Sequence, residues 1–510
     1  MTGITIVILT GILALSCAAR FIRVVILRQL LLLSISYWAY AHWAGVPFLL
    51  LLIASSLVNY FWGSVLRRRP TTALLWVGIG LNVFLLGFFK YVPAMIAEWP
   101  EAASAGFLGD IILPLGISFW TFQGISYLCD LYREEELDPS LLEFCLYMAF
   151  WPTVASGPVA RLPNMLPQFR QTSTAVGDDF SVGAVRIVQG IFMKFVLAHL
   201  LNVGLSPGGG VSAGFDEVAP ARSGLDVWAL AIGYGFQIFF DFAGYTNIVV
   251  GAARLIGIQL PENFNRPYLS TTPSIFWTRW HMSLSFWIRD YVFMPLVTLR
   301  RNVWWPYAGL IISMVIFGFW HGAKLTFAAW GLYHGILLVG HRVGQRLKRR
   351  IPIDLPHPLG VFMSWAGTFL LVSLGYIFFR ANDLGQVSRM LRAVISPRSY
   401  AFTHATLPQD YYLLLSLMAG GYFAYVGLVD LLGLWTTRYR ENLRRSEQPM
   451  FPQGLSRFPS LNGAILWIDG LLAARKWWLL TPVLVLLLMV TSLSFLNQNS
   501  NIAPFIYTLF

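Results

Sequence analysis

Charge is scarce in this chain of 510 residues: only 12% are Asp, Glu, Lys or Arg. A soluble domain carries roughly a quarter, so a water-soluble globular protein is excluded. Cysteine is scarcer still. Cys17, Cys129 and Cys145 form no CxxC pair, which excludes a disulfide framework and a thiolate metal site. The N-terminus lacks the basic region of a signal peptide, and Ala14 fits a lipoprotein cleavage site poorly. It reads instead as a first membrane helix stopped by Arg20 and Arg23. No heptad repeat, low-complexity tract or internal duplication is evident, which weighs against a transporter built from repeats.

Acidic residues are outnumbered by basic ones, 24 to 36, giving a net charge of +12. The excess is not a nucleic-acid surface, because no continuous basic face with interleaved aromatics exists. Arg67-Arg68-Arg69, Arg346 through Arg350 and Arg438 through Arg445 lie in short clusters between apolar runs, as the positive-inside rule produces at cytoplasmic loops.

What is abundant is apolar sequence: 56% of residues are hydrophobic and the mean hydropathy is +0.62. Runs long enough to cross a bilayer recur along the chain, and helices satisfy their backbone hydrogen bonds internally. The fold class expected is an all-α polytopic membrane protein with about 11–13 transmembrane or re-entrant helices. The expected spans are Thr2–Ala19, Val24–Tyr40, Trp43–Trp62, Thr72–Val92, Asp110–Leu128, Leu141–Ser156, Arg186–Asn202, Val227–Val250, Trp305–Trp320, Leu325–His341, Leu359–Phe379, Tyr411–Leu434 and Trp477–Leu496. A cytoplasmic Arg67–Arg69 puts the acidic stretch Glu98 to Asp110 and the N-terminus outside. Leu205 to Asp226, with Pro207-Gly208-Gly209-Gly210, reads as an exposed, flexible connection. Leu255 to Pro295 is too polar to span but rich in aromatics, as interfacial amphipathic helices are.

An ionisable residue in apolar surroundings is costly and marks a candidate site. His321 lies at the break between two apolar runs, flanked by Gly318 and Gly322. An imidazole titrates near neutrality, so it can take a proton from a hydroxyl and return it to a leaving group; from composition alone a histidine tying two helices together is the stronger reading. His281 lies in Arg279-Trp280-His281-Met282-Ser283-Leu284-Ser285. If that stretch is helical, His281, Ser285 and Ile288 share one face and Trp280, Leu284 and Trp287 another. The alternative there is an interfacial helix whose Arg289 and Asp290 serve local pairing. Gln237, Asp241, Tyr245 and Asn247 form a polar stripe ending near Arg254, either a cavity wall or a set of interhelical hydrogen bonds.

Other chemistries lack their motifs. There is no GxSxG elbow and no Walker loop. His404 and Asp410 are one residue too far apart for the His–Asp pair of soluble glycerolipid acyltransferases. A metal site from His321, His334 and His341 has no HxxxH or HExxH and no nearby carboxylate, so no metal is expected.

The stretch Phe276 to Leu296, containing Arg279-Trp280-His281 and Trp287-Ile288-Arg289-Asp290-Tyr291, resembles a signature of the membrane-bound O-acyltransferase family. Phe319-Trp320-His321-Gly322 followed by Trp330-Gly331-Leu332-Tyr333-His334-Gly335 resembles its second signature. Pro114 to Phe122, Gly157-Pro158-Val159-Ala160-Arg161 and Asp241 to Asn247 also match, in the expected order. Thr278 with Arg279 departs from the two adjacent arginines common in this branch. The ending Pro504-Phe505-Ile506-Tyr507 is similar to the bacterial branch that acylates cell-envelope polymers, alginate O-acetyltransferase-type proteins most of all. Ala381 to Asp410 and the hydrophilic Thr436 to Lys476 account for length beyond the teichoic-acid relatives.

The resemblance implies one domain over 1–510, with N-terminal helices 1–65, a catalytic core 66–345 and C-terminal helices 346–510, in a ring around a central funnel. It implies His321 as catalytic histidine (general base or acyl relay) and His281 as its second signature position. Trp280, Ser285, Trp320, Asp241, Tyr245, Asn247 and Gln237 would line the substrate tunnel. No bound cofactor is implied; the donor would be acetyl-CoA or another acyl thioester from the cytoplasm. The expected partners are the lipid bilayer, a periplasmic acetyltransferase- or esterase-like protein and a polysaccharide acceptor, in a bacterial inner membrane. D-alanyl or other acyl transfer, and transport without chemistry, are the alternatives.

Overall fold

The computed structural model describes residues 3–97, 112–133, 137–171, 177–206, 209–216, 223–348, 356–401 and 405–446. These residues form helices and turns, with no strand among them. In chain order the helices are α1 (Gly3–Ala19), α2 (Val25–Ala44), α3 (Val46–Arg68), α4 (Thr72–Ala97), α5 (Ile117–Tyr132), α6 (Leu141–Ala149), α7 (Trp151–Val154) and α8 (Leu162–Arg170). Then α9 (Gly177–Phe192) runs through a π-turn into α10 (His199–Val203), followed by α11 (Val211–Asp216) and α12 (Gly224–Ile256). The remainder are α13 (Pro273–Trp277), α14 (Met282–Ile288), α15 (Met294–Thr298), α16 (Trp305–His321), α17 (Leu325–Lys348), α18 (His357–Arg380), α19 (Leu384–Ile395) and α20 (Gln409–Ser446).

Among the described residues, six stretches are long and apolar enough to cross a membrane: Val46–Arg68, Thr72–Pro93, Asp179–Val203, Gly224–Ile256, His357–Arg380 and Gln409–Val429. Leu9–Ala19 and Trp305–His321 are apolar but shorter. Large side chains such as Phe61, Trp76, Phe84, Phe362 and Leu417 point outward, as lipid-facing residues do. The expected span Trp477–Leu496 and the acidic stretch Glu98–Asp110 lie outside the described residues.

Helix α12 is the axis of the bundle, with 72% of its apolar window buried against 11–33% for the other five. A reciprocal cap starts it: Ser223 Oγ accepts from the Asp226 amide at 3.0 Å while Asp226 accepts from the Ser223 amide at 3.1 Å. Gly257, at φ 89°, stops it in the left-handed conformation that glycine adopts freely. Small residues let α9 lie against α12, since a Cβ at Gly190 would meet the carbonyl of Gly244. Buried residues fall into two clusters, and α5 serves both. Phe119 and Phe122 face one cluster, while Trp120, Tyr127 and Leu128 face the other.

Three local expectations are corrected. The run Leu141–Ser156 breaks at Phe150 into α6 and α7, because Pro152 begins a new first turn and Ser36 Oγ captures the Trp151 amide at 3.2 Å. Leu205–Asp226 is not simply an exposed connection, since Val211 and Phe215 of α11 are fully buried. The aromatics of Leu255–Pro295 are mostly packed against protein. Phe276, Trp277, Trp280 and Trp287 are at most 8% exposed, inside the bundle.

Candidate active site

Helix α16 ends on His321, and Gly322 lets the chain reverse into α17. The two helices pack at backbone distance: a Cβ at Gly318 would meet the Phe327 carbonyl, and one at Gly331 the Met314 carbonyl. His321 therefore projects into a box of rings. Its centroid lies 4.7 Å from Trp320, 4.8 Å from Phe379 and 5.3 Å from both Phe317 and Trp330.

His281 arrives from a different direction. The stretch before it is a turn, not a helix; α14 starts only at Met282, and His281 is its N-cap at φ 42°. The shared face of His281, Ser285 and Ile288 in one helix is thus replaced by a capping geometry. Left-handed backbone is unusual for a histidine, and here neighbouring bonds impose it. Asn263 accepts from the Met282 amide through its carbonyl at 2.9 Å, and from Ser283 Oγ through its side chain at 2.6 Å. The Val159 amide then donates to Ser283 Oγ at 2.9 Å, joining the Gly157–Arg161 motif to the His281 turn. Ser285 donates to the Trp280 carbonyl at 2.9 Å and closes that turn. The His281 ring lies 4.7 Å from Phe242 of α12, and its Nδ1 is buried without a hydrogen-bond partner.

His281 and His321 line one cavity of about 40 Å³ together with Trp280, Trp320, Trp330, Phe242, Phe379 and Tyr376. Four of the residues singled out in the sequence therefore meet: His321, His281, Trp280 and Trp320. Ser285 supports the turn. Gln237, Asp241, Tyr245 and Asn247 do not line this cavity. Gln237 donates to Asn202 at 2.9 Å, Asp241 pairs with Lys194 at 2.5 Å, Asn247 donates to the Ala243 carbonyl at 2.9 Å, and Tyr245 bonds Ser156. On α12 it is Ile238 and Phe242, four residues apart on one face, that reach the cavity. No three His, Cys, Asp or Glu side chains converge as metal ligands among the described residues.

The family description "MBOAT, membrane-bound O-acyltransferase family" matches residues 129–374, and a family of unknown function matches 468–510. The chain is 32% identical to a probable alginate O-acetylase of Pseudomonas putida over 493 residues, 94% of each chain. It is 31% identical to a peptidoglycan O-acetyltransferase of Helicobacter pylori, covering 74% of this chain and 75% of the relative. With a teichoic acid D-alanyltransferase of Streptococcus thermophilus it shares 34% identity over 59% of this chain and 77% of the relative. The chain belongs to the membrane-bound O-acyltransferase family. It is a multi-pass membrane O-acyltransferase.

The structure of this acyltransferase adds residues that were not singled out in the sequence. Lys90 of α4 donates to the Trp320 carbonyl and lies 5.0 Å from the Trp320 ring. Tyr91 donates to the Phe319 carbonyl at 2.6 Å. Lys90 was detectable as the lone charge inside the apolar run Thr72–Val92. Tyr376 and Phe379 of α18 gave no such signal, being aromatics in an apolar helix.

A second, polar cavity of about 380 Å³ is lined by Asp130, Arg133, Arg161, Asn164, Asp290 and Tyr291. Arg133 and Arg161 stand 5.1 and 5.0 Å from the Tyr291 ring, and Tyr291 donates to Asp130 at 2.7 Å. Burial pushes the Asp290 carboxyl up, but hydrogen bonds from Arg289 and Arg161 outweigh it and hold it below its ordinary value. A chain of tilted rings links the two cavities: Tyr291 to Trp287 at 5.3 Å, Trp287 to Phe122 at 4.2 Å and Phe122 to Trp320 at 5.5 Å.

Proposed function

We propose that this enzyme takes an acetyl group from a cytoplasmic thioester and passes it across the inner membrane for O-acetylation of an exopolysaccharide such as alginate. The observation that carries the reading is the placement of His321 and His281 on one small aromatic cavity in a chain of this family. Neutral His321 accepts the proton of an acceptor hydroxyl as its oxygen attacks the thioester carbonyl. The C–O bond forms, the C–S bond breaks, and the proton passes to the departing thiolate. His281 donates to or orients the reacting carbonyl, and the surrounding rings exclude the water that would hydrolyse the donor.

Charge favours acetyl: no carboxylate is among the cavity's lining residues to receive an ammonium. The polar cavity offers the donor's entrance. It lies beside Arg133 at the end of α5, and Arg67, in the cluster assigned to the cytoplasm, pairs with Asp138 a few residues on at 2.5 Å. A periplasmic acetyltransferase- or esterase-like partner and the polymer complete the route on the opposite side. The similarity to a D-alanyltransferase supports a second reading, transfer of D-alanine to an envelope polymer.

The test is the O-acetyl and D-alanyl ester content of surface polymers from wild type, a deletion strain and His321→Ala, with the variant's membrane level measured. Loss of acetyl ester in both mutants supports the proposal. Loss of D-alanyl ester instead selects the second reading. Full acetylation by a normally inserted His321→Ala protein refutes the role of His321.

A further inference from the structure

A lysine inside an apolar membrane helix is costly and is retained where its charge is used. Lys90 is such a residue, and its partner is not a carboxylate. Its Nζ donates to the main-chain carbonyl of Trp320 and stands 5.0 Å from the Trp320 ring. Its neighbour Tyr91 donates to the Phe319 carbonyl at 2.6 Å. Both acceptors lie in the last turn of α16, where the helix dipole is negative; the Phe319 carbonyl also accepts from the Gly322 amide at 3.1 Å. Two consecutive side chains of α4 thus cap α16 at the residues immediately before His321. Gly322 follows at once, so no further helical turn holds the imidazole in place.

We propose that Lys90 is a positioning residue for His321, capping α16 so that the imidazole faces the cavity and biasing it, through its own charge, toward the neutral form. This rests on the reading of His321 as the proton acceptor. The surroundings offer no anion to offset the Lys90 ammonium. His281 faces the same cavity from the α13–α14 turn, Tyr376 from α18, and His334 of α17 stands behind Trp330. Lys324, exposed, follows on the α16–α17 turn. None of these groups is an anion at neutral pH. A cation near an imidazole disfavours a second positive charge there. Tyr91 supplies a cap with no charge, and this separates the two parts of the proposal.

The experiment uses the full chain in lipid nanodiscs. Diethyl pyrocarbonate reacts with neutral imidazole, so the rate of His321 carbethoxylation against pH, read by peptide mass spectrometry, reports its neutral fraction without depending on turnover. In Lys90→Met the midpoint should move up by about one pH unit or more, roughly a tenfold loss of neutral imidazole on the acid side. Lys90→Arg should keep the wild-type midpoint, and so should Tyr91→Phe. Acetyl transfer in cells should fall at least about tenfold in Lys90→Met and be restored in large part by Lys90→Arg. Should Lys90→Met not insert, Lys90→Gln carries the same comparison. An unchanged midpoint in the neutral variant overturns the electrostatic role, and full transfer activity overturns the positioning role. If His321→Ala retains acetylation while the midpoint shift is present, the base assignment fails and the Lys90–His321 coupling stands.

Discussion

The Ser283 hydroxyl donates to the Asn263 side chain at 2.6 Å, and Asn263 is fully buried. This bond stands at the crossing of three segments, because the same hydroxyl accepts from the Val159 amide and the Asn263 carbonyl accepts from Met282. It holds the turn that presents His281. Ser283→Ala leaves the Val159 amide without this acceptor in a buried place, at about 1–3 kcal/mol. The expected outcome is a protein that inserts, melts several degrees lower in detergent, and transfers acetyl poorly. Wild-type transfer at reduced thermal stability would show that the turn does not need this bond to place His281.

His281 itself carries two demands, one chemical and one conformational. Its φ of 42° disfavours most side chains, and asparagine tolerates that region best after glycine. His281→Asn should therefore insert at wild-type levels and keep part of the transfer activity, with a polar amide in the imidazole's place. His281→Val, β-branched, should cost about 1–2 kcal/mol more in folding and abolish transfer. Equal accumulation and equal melting of the two variants would contradict the conformational half of this argument.

Length and hydropathy made the helices legible, since a bilayer-crossing run is a long-range pattern that neighbours cannot disguise. The paired histidines were legible as polar residues among rings. Less legible was which side of α12 looks into the cavity. Asp241 and Gln237 drew attention because they are polar, yet their polarity is used against Lys194 and Asn202, while apolar Ile238 and Phe242 meet the site. A sequence states that a stripe is polar but not which neighbour it faces. The break at Phe150 and the left-handed His281 were hidden for a related reason. Each depends on a side chain distant in sequence, Ser36 together with the local Pro152 in one case and Asn263 in the other.

At the polar cavity, Arg161 pairs with Asp290 at 2.8 Å, both partly accessible. Because Asp290 is held below its ordinary value when folded, its stabilising contribution is present above the unfolded carboxylate range and is lost as pH falls below about 4. Solvent screening limits the pair to about 1 kcal/mol. Asp290→Asn should lower the melting temperature slightly at pH 7, and the deficit should shrink as pH falls to 3. Measuring both variants' melting curves across that range checks the sign; a larger deficit at pH 3 than at pH 7 would reverse it.

The α16–α17 hairpin depends on contact at backbone distance, and its glycines give a test with an internal control. A Cβ at Gly331 would meet the carbonyl of Met314 on the facing helix, whereas one at Gly340, farther along the same helix, meets nothing within 4 Å. Both substitutions to alanine raise helix propensity by about 1 kcal/mol, so any difference between them comes from packing. Gly331→Ala should push α17 off α16, displace Trp330 from the His321 box and reduce transfer at least about tenfold. Gly340→Ala should match wild type in membrane level and transfer and melt at or slightly above it. If Gly331→Ala also matched wild type, α17 would have to yield without moving Trp330, and contact at backbone distance could not be what shapes the His321 box.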